Sequence, residues 1–176
     1  MKRLCLYLWL LSFDLAAETR IAILDFELKD QTMAPRVPSE LKRTAAIKPL
    51  LEKELRSAGY RIIDIPKSAQ TEADAGVGYL YEHPDAAAKL GERFGADYLL
   101  VGRVHKPSFL FAYFIGNLVS VADGRWRGQL MAESKGQAKV LVGKAVETLT
   151  DKIDNLLDNR YQPPAPVHGV LSDTAY

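Results

Sequence analysis

The sequence predicts an α/β domain in which a mixed sheet of about five strands packs with about three helices, in the order strand, helix, strand, helix, strand, hairpin, helix. Three observations carry this. Short β-branched runs alternate with stretches of helical periodicity. One run, Asp97 to Val104, is almost continuously apolar, as expected of a strand covered on both faces. Asp123-Gly124 then separates two long strand-like segments, the strongest short hairpin signal in the chain.

Taken in order, Arg20 to Phe26 (RIAILDF) alternates apolar residues and reads as the opening strand. Glu40 to Ala58 places Leu41, Ala45, Leu51, Leu55 and Ala58 at helical spacing, and Gly59 suits the stop. Pro49 inside that stretch means that the helix either kinks or truly begins near Lys48. Tyr60 to Ile65 is a second strand, closed by Pro66, and Lys67 to His83, rich in small and polar residues, reads as mostly loop with at most a short helical turn. Pro84 opens a helix that ends at Phe94-Gly95. After the central strand, Phe109 to Ala122 is long and apolar on both faces, and Trp126 to Ser134 should return antiparallel to it. Gln137 to Leu157 sets Ala138, Leu141, Val142, Ala145, Leu149, Ile153 and Leu156 along one stripe, an amphipathic helix to close over the sheet.

The ends suggest processing and address. Lys2 and Arg3 precede the apolar run Leu4 to Phe13, and Leu15-Ala16-Ala17 forms a small-residue exit, the pattern of a cleaved export signal. The apolar run is too short for the roughly 20 residues of a spanning helix. Residues 1–17 are therefore expected to be removed, after Ala17 or Ala16, leaving residues 18–160 as one domain and 161–176, with Pro163, Pro164 and Pro166, as a disordered tail. Cys5 is the single cysteine. It lies within the signal, too early to be a lipidated residue at the end of the apolar stretch, so the mature chain has no disulfide, no thiolate nucleophile and no cysteine metal site. The expected product is periplasmic, without a membrane span after cleavage; free secretion is the other address. Once Lys2, Arg3 and Asp14 leave with the signal, the charges balance, which argues against a nucleic-acid partner.

Several segments together resemble a family of small exported bacterial proteins of uncharacterised function, related to the N-terminal domain of TolB and the soluble domain of CsgG. They are Ile21 to Phe26, Ser57-Ala58-Gly59-Tyr60, Gly95 to Gly102 and Val121-Ala122-Asp123-Gly124. The likeness covers about Arg20 to Leu157. These motifs mark strand starts, helix ends and a hairpin, so they specify a fold rather than an activity. The resemblance implies a non-catalytic role in protein contacts at the cell envelope or beside a periplasmic oxidation system.

Candidate sites weigh the same way. His83, His105 and His168 have no helical metal spacing, so no metal or other cofactor is expected. His105 reads as a sheet-edge residue. No Gly-x-Ser-x-Gly elbow occurs, and Gly76-Val77-Gly78 lacks a phosphate-loop context. Asp25 and Asp97 form an acid–base pair only if they meet; the simpler reading is that each satisfies backbone donors at a turn. Arg103 with Asp64 is a cleft pair or an ordinary cross-strand ion pair.

Aromatic residues stand out most. Phe109, Phe111 and Tyr113 fall on one strand face, with Leu110, Ala112 and Phe114 on the other, and about three helices do not cover both. Trp126 and Arg127 follow the hairpin. These five residues, Phe109, Phe111, Tyr113, Trp126 and Arg127, are the candidate partner-binding set; core burial is the competing role for the run Phe109 to Phe114. The partner expected is a periplasmic or envelope protein, with self-association through strand edges as a variant. The alternative is a small-molecule-binding protein or enzyme with a pocket under the segment 67–83.

Overall fold

The computed structural model describes residues 18–135 and 139–160, with backbone alone for 139–141. Residues 1–17, expected to be an export signal and holding Cys5, the proline-containing segment 161–176 with His168, and Gln137 and Ala138 lie outside the described residues. The elements are β1 (Arg20–Ile23), β2 (Glu27–Asp30), α1 (Pro38–Ala45), α2 (Ile47–Ser57), β3 (Arg61–Ile63), α3 (Lys67–Ala73), α4 (Tyr79–Glu82), α5 (Pro84–Phe94), β4 (Tyr98–Lys106), β5 (Phe111–Ser120), β6 (Arg125–Lys135) and α6 (Lys139–Leu156).

The sheet runs β3-β1-β4-β5-β6, with β2 pairing β4 beyond the end of β1. β1, β2, β3 and β4 pair in parallel, and β5 and β6 continue antiparallel. This is the mixed α/β architecture expected from the sequence, with one more strand and additional short helices among the described residues.

The extra strand arises because RIAILDF does not run straight. Its chain breaks at Leu24-Asp25-Phe26, and Phe26 turns down onto Gly102 of β4. A Cβ at Gly102 would lie 2.3 Å from the Phe26 ring, so glycine is what admits the aromatic there. The backbone of Asp25, freed from the sheet, is held by the Gln70 side chain instead, which accepts from its N–H at 2.9 Å and donates to its carbonyl at 3.2 Å. Chain direction is then recovered in β2, whose residues Glu27 to Asp30 stand beside Arg103 to Lys106.

The segment 67–83 differs from expectation: it is not mostly loop but holds α3 and α4, with Ala69 and Leu80 buried against the sheet. Helices this short show too few turns for periodicity to reveal them. Pro49 is accommodated as the sequence allowed, since α2 begins at Ile47 and places the proline in its first turn, where a missing N–H leaves no bond unmade.

Two layers cover the sheet. On its first face α2 and α6 bury Ile47, Leu51, Leu55, Leu149 and Ile153 against Ile21, Ile23, Leu100, Val104, Phe114 and Leu118. On its second face α3, α4 and α5 bury Leu80, Ala87 and Leu90 against Ala22, Leu24, Leu99, Val101 and Val119. The first half of β4 is therefore enclosed on both sides, the reason for its continuous apolar sequence. At the hairpin, Gly124 closes the turn at φ 65° and donates its N–H to the Ser120 carbonyl at 3.0 Å.

Candidate functional site

Alternation along β5 sends Ala112, Phe114 and Leu118 into the first-face core. Phe111, Tyr113, Ile115, Asn117 and Val119 point the other way, where helical cover is incomplete. Cover stops at Tyr81 of α4. There the Asn117 side chain donates to the Tyr81 carbonyl at 3.2 Å, and the Gln129 amide donates to Asn117 Oδ1 at 2.9 Å and to the Tyr81 hydroxyl at 3.3 Å. Arg103 lays its guanidinium 3.9 Å from the Tyr81 ring centroid and donates to Glu27 at 2.8 Å. Burial pushes the Tyr81 hydroxyl pKa up, with Arg103 and the two amides partly opposing it. These polar residues seal the edge of the second-face core.

Beyond that seal the second face is open. Cross-strand pairing lines up Lys29, His105, Tyr113 and Glu133 in one row, with Ile115 beside Met131 below it and Phe111 beside Lys135 above it. His105 and Tyr113 stack with ring centroids 6.4 Å apart and planes at 22°. Phe111 is 38 % and Met131 51 % exposed. The result is an aromatic and aliphatic stripe bordered by Lys29 on one side and by Glu133 and Lys135 on the other. It can hold a complementary surface by burial and by cation or hydrogen-bond contacts; it carries no converging acid, base and nucleophile.

The five sequence-predicted residues do not form one patch. Phe111 and Tyr113 lie in the open face as their alternation requires. Phe109 precedes β5, sits in the connecting turn, and places its ring 5.5 Å from Lys106 Nζ. Trp126 and Arg127 lie at the other end of the hairpin, where the β5–β6 register is irregular and Trp126 pairs with Val119. From Tyr113 to Val119 is six residues, roughly 20 Å along the strand. Trp126 is 39 % exposed and borders a shallow cleft of about 420 Å³ with Tyr81, Asn117 and Gln129.

His105 belongs to the open face and is no edge residue, because β4 has β2 on one side and β5 on the other. Sequence reading also missed Ile115, Met131, Glu133 and Lys29. A signal was present: Arg103 and His105 interrupt the apolar run of β4 at alternate positions, marking the half of that face that leaves the core.

Other sequence candidates separate. Asp97 accepts from the Arg20 backbone N–H at 2.8 Å and from its guanidinium at 2.7 Å, a structural role. That guanidinium bond holds the Asp97 carboxyl below its ordinary range. Asp25 instead lies 3.6 Å from Lys48 Nζ and 3.8 Å from Lys67 Nζ, past the far end of β1, so the two carboxylates do not meet. Arg103 pairs with Glu27 rather than Asp64, because the break before β2 carries Glu27 into the position beside it. His83 stacks on Tyr79 at 4.1 Å. An open cleft of about 720 Å³ runs past Asp25, Lys48, Lys67, Gln70 and Val77 at the carboxyl end of β1. Among the described residues there is no group of three or more His, Cys, Asp or Glu placed to hold a metal ion, and no helix is long and apolar enough to cross a membrane.

A buried charge cluster underlies the end of the open face. Lys106 Nζ lies 3.1 Å from Glu40 and 3.8 Å from Asp30, and Arg43 lies 2.5 Å from Glu40, all essentially out of solvent. Burial pushes the Asp30 carboxyl up, but hydrogen bonds from the Thr32 hydroxyl and the Thr32 and Arg36 N–H groups, with Lys106 nearby, outweigh it and leave its pKa lowered.

The family described as "Protein of unknown function (DUF2380)" matches residues 19–153. A search of curated proteins finds no matching sequence. Solved structures that share the fold include the following three. Lipoprotein GNA1162 from Neisseria meningitidis is 17 % identical, with 79 % of this chain and 99 % of that one covered and a TM-score of 0.50. The PelC dodecamer from Paraburkholderia phytofirmans is 15 % identical over 82 % and 89 %, also at 0.50. TolB from Acinetobacter baumannii is 14 % identical over 80 % of this chain and 28 % of TolB, again at 0.50, so the likeness spans little more than a quarter of that protein. At these identities the likeness is one of fold.

Proposed function

The chain belongs to the family described as "Protein of unknown function (DUF2380)", and on that footing we propose that it is an exported, non-catalytic accessory protein that works by holding an envelope or periplasmic protein against the open half of its sheet. One observation carries the proposal: Phe111, Tyr113, Ile115 and Met131 form a partly exposed stripe on a six-strand sheet whose opposite face is packed by α2 and α6. An aromatic surface carried on paired strands and bordered by charge suits protein contact.

The remaining readings belong to the same proposal. Residues 1–17 act as the cleaved signal, 18–160 form one domain and 161–176 a tail, and the product works in the periplasm, beside the envelope or a periplasmic oxidation system. The kinship with CsgG rests on the sequence motifs. Of the structures sharing the fold, one is described as a lipoprotein and another as a dodecamer, which supports an envelope setting and allows self-association for this chain.

Crosslinking in the native host, followed by mass spectrometry, tests the proposal. Links from one protein should fall on β5 and β6, and Phe111→Ser should reduce them while circular dichroism shows an intact fold. Trp126→Ala tests whether the contact reaches the far end of the hairpin. Undiminished capture by both variants rejects the surface.

A second reading is favoured by the 720 Å³ cleft, which lies under part of the 67–83 segment and carries Lys48, Lys67 and Gln70 around Asp25. Crevices at the carboxyl ends of parallel strands are common ligand sites. Thermal-shift screening against alcohols, quinones, nucleotides and metals would reveal a ligand, and a flat response across the panel rejects this reading.

A further inference from the structure

The end of the sheet where β4 passes into β5 carries an apolar tip that the open face does not explain. Phe109 is 55 % and Leu110 68 % exposed, next to each other in the turn 107–110, and Met33 in the neighbouring loop 31–37 is 98 % exposed. The two loops emerge side by side, because the Gln31 N–H donates to the Lys106 carbonyl at 3.0 Å.

Both loops are fixed. Ser108 Oγ accepts from the N–H groups of Leu110 and Phe111 at 3.3 Å, which sets the turn. Asp30 organises the other loop, accepting from the Thr32 N–H at 3.0 Å, the Thr32 hydroxyl at 2.7 Å and the Arg36 N–H at 3.2 Å. Lys106 lies 3.8 Å from Asp30, so the two loops share one buried ion pair. Exposure of Met33, Phe109 and Leu110 is thus built into the fold. Met33, Phe109 and Leu110 line neither of the two clefts described above.

Exposed charge around the tip is mostly basic. Lys29, Arg36 and Lys135 are exposed at this end, against Glu133 alone among the acids flanking them on β5's neighbours, while Asp30 and Glu40 are buried with Lys106 and Arg43. The chain as a whole is close to neutral, so this is a local polarity. Adjacent apolar side chains on a stiff protrusion with basic residues around them fit a fluid anionic surface, which needs no matching pocket. We propose that the Met33–Phe109–Leu110 tip inserts into an anionic lipid surface, with Lys29, Arg36 and Lys135 at the headgroup level.

The geometry gives an orientation. The turn 121–124 and the start of β1 lie at the opposite end of β4, whose nine residues span roughly 30 Å. A tip seated in lipid therefore leaves the β5–β6 turn in water and the open face standing beside the membrane, accessible to a protein. This inference goes beyond the protein-contact reading and does not depend on it.

The test uses the full chain with Cys5→Ser and one reporter cysteine, either Leu110→Cys or Ala122→Cys, labelled with an environment-sensitive fluorophore. Vesicles contain phosphatidylglycerol or phosphatidylcholine alone. The probe at 110 should shift to the blue and be quenched by nitroxide lipids only in anionic vesicles, and the shift should weaken with added salt. The probe at 122 should stay in water, which separates tip insertion from any binding by residues 1–17. Phe109→Ser and Met33→Ser should each weaken vesicle binding about tenfold, and Lys29→Glu with Arg36→Glu should abolish the preference for anionic lipid. A probe at 110 that remains in water, or that responds equally to both lipids, overturns the proposal. So does loss of a crosslinked protein in Phe109→Ser without any change at vesicles, which would assign the tip to a protein partner.

Discussion

Replacing Glu40 by Gln should unfold more than a surface ion pair would predict, and the reason is the number of charges that depend on it. Glu40 lies 3.1 Å from Lys106 and 2.5 Å from Arg43. At an effective dielectric constant near 20, two unit charges at the first distance attract by about 5 kcal/mol, and at the 3.8 Å of Lys106 and Asp30 by about 4 kcal/mol. Those attractions are largely offset by the cost of drying the ions, so the pairs add little as they stand. Breaking them is different. With Glu40 neutral, Lys106 keeps Asp30 at 3.8 Å and Arg43 loses the carboxylate beside it, so one negative charge is removed from a site where Lys106 is 2 % exposed. Broken buried pairs cost about 3–5 kcal/mol, and the lower end applies here because Asp30 remains. Urea unfolding followed by circular dichroism should show the midpoint falling by about 1.5 M at an unchanged slope near 2 kcal/mol per molar. Glu40→Leu combined with Lys106→Met should recover at least half of the loss by exchanging ions for apolar packing. A cost for Glu40→Gln below about 1 kcal/mol would show that water reaches the cluster and would refute the reasoning.

Three further outcomes are expected. Gly102→Ala should cost about 2–3 kcal/mol in urea or thermal unfolding, because its Cβ meets the buried Phe26 ring, and adding Phe26→Leu should return part of that stability; an additive double mutant would refute the contact. Lys152 Nζ donates to the Met131 carbonyl at 2.8 Å on the outer side of β6, so Lys152→Ala should bare a strand edge and raise self-association in sedimentation velocity, whereas an unchanged profile would show that the edge is blunted by other means. Stability should fall on the acid side, since the pKa values of Asp30 and Asp97 are lowered in the folded state: their contribution is complete above the ordinary carboxylate range and lost as pH drops through the folded values. Asp30→Asn should flatten that acid limb, and an unaltered slope would exclude Asp30 as a cause.

Much of the architecture was legible because it depends on a few neighbouring residues. Pro84 and Gly95 bracket α5 where the sequence placed it, since one supplies a preset φ and the other a left-handed end at φ 74°. The continuous apolar run marked β4 as central, and alternation set Ala112 and Phe114 on one face of β5 and Phe111 and Tyr113 on the other. α3 and α4 escaped detection because seven and four residues hold at most two turns, and their burial comes from contacts with Leu24 and Val101 elsewhere in the chain.

The sequence by itself determined which side chains share a strand face, where helices begin and stop, and where the hairpin turns, because sterics and hydrogen bonding within a few residues decide those. Only the tertiary structure decided that Phe26 falls into the space above Gly102, that Glu27 rather than Asp64 meets Arg103, and that His105 and Met131 join Tyr113 and Phe111 while Trp126 stands roughly 20 Å away. It also decided which half of the second face stays open. Cover is a matter of how far α4 and α5 reach across four strands, a distance set by packing between segments remote in sequence, and no local pattern encodes it.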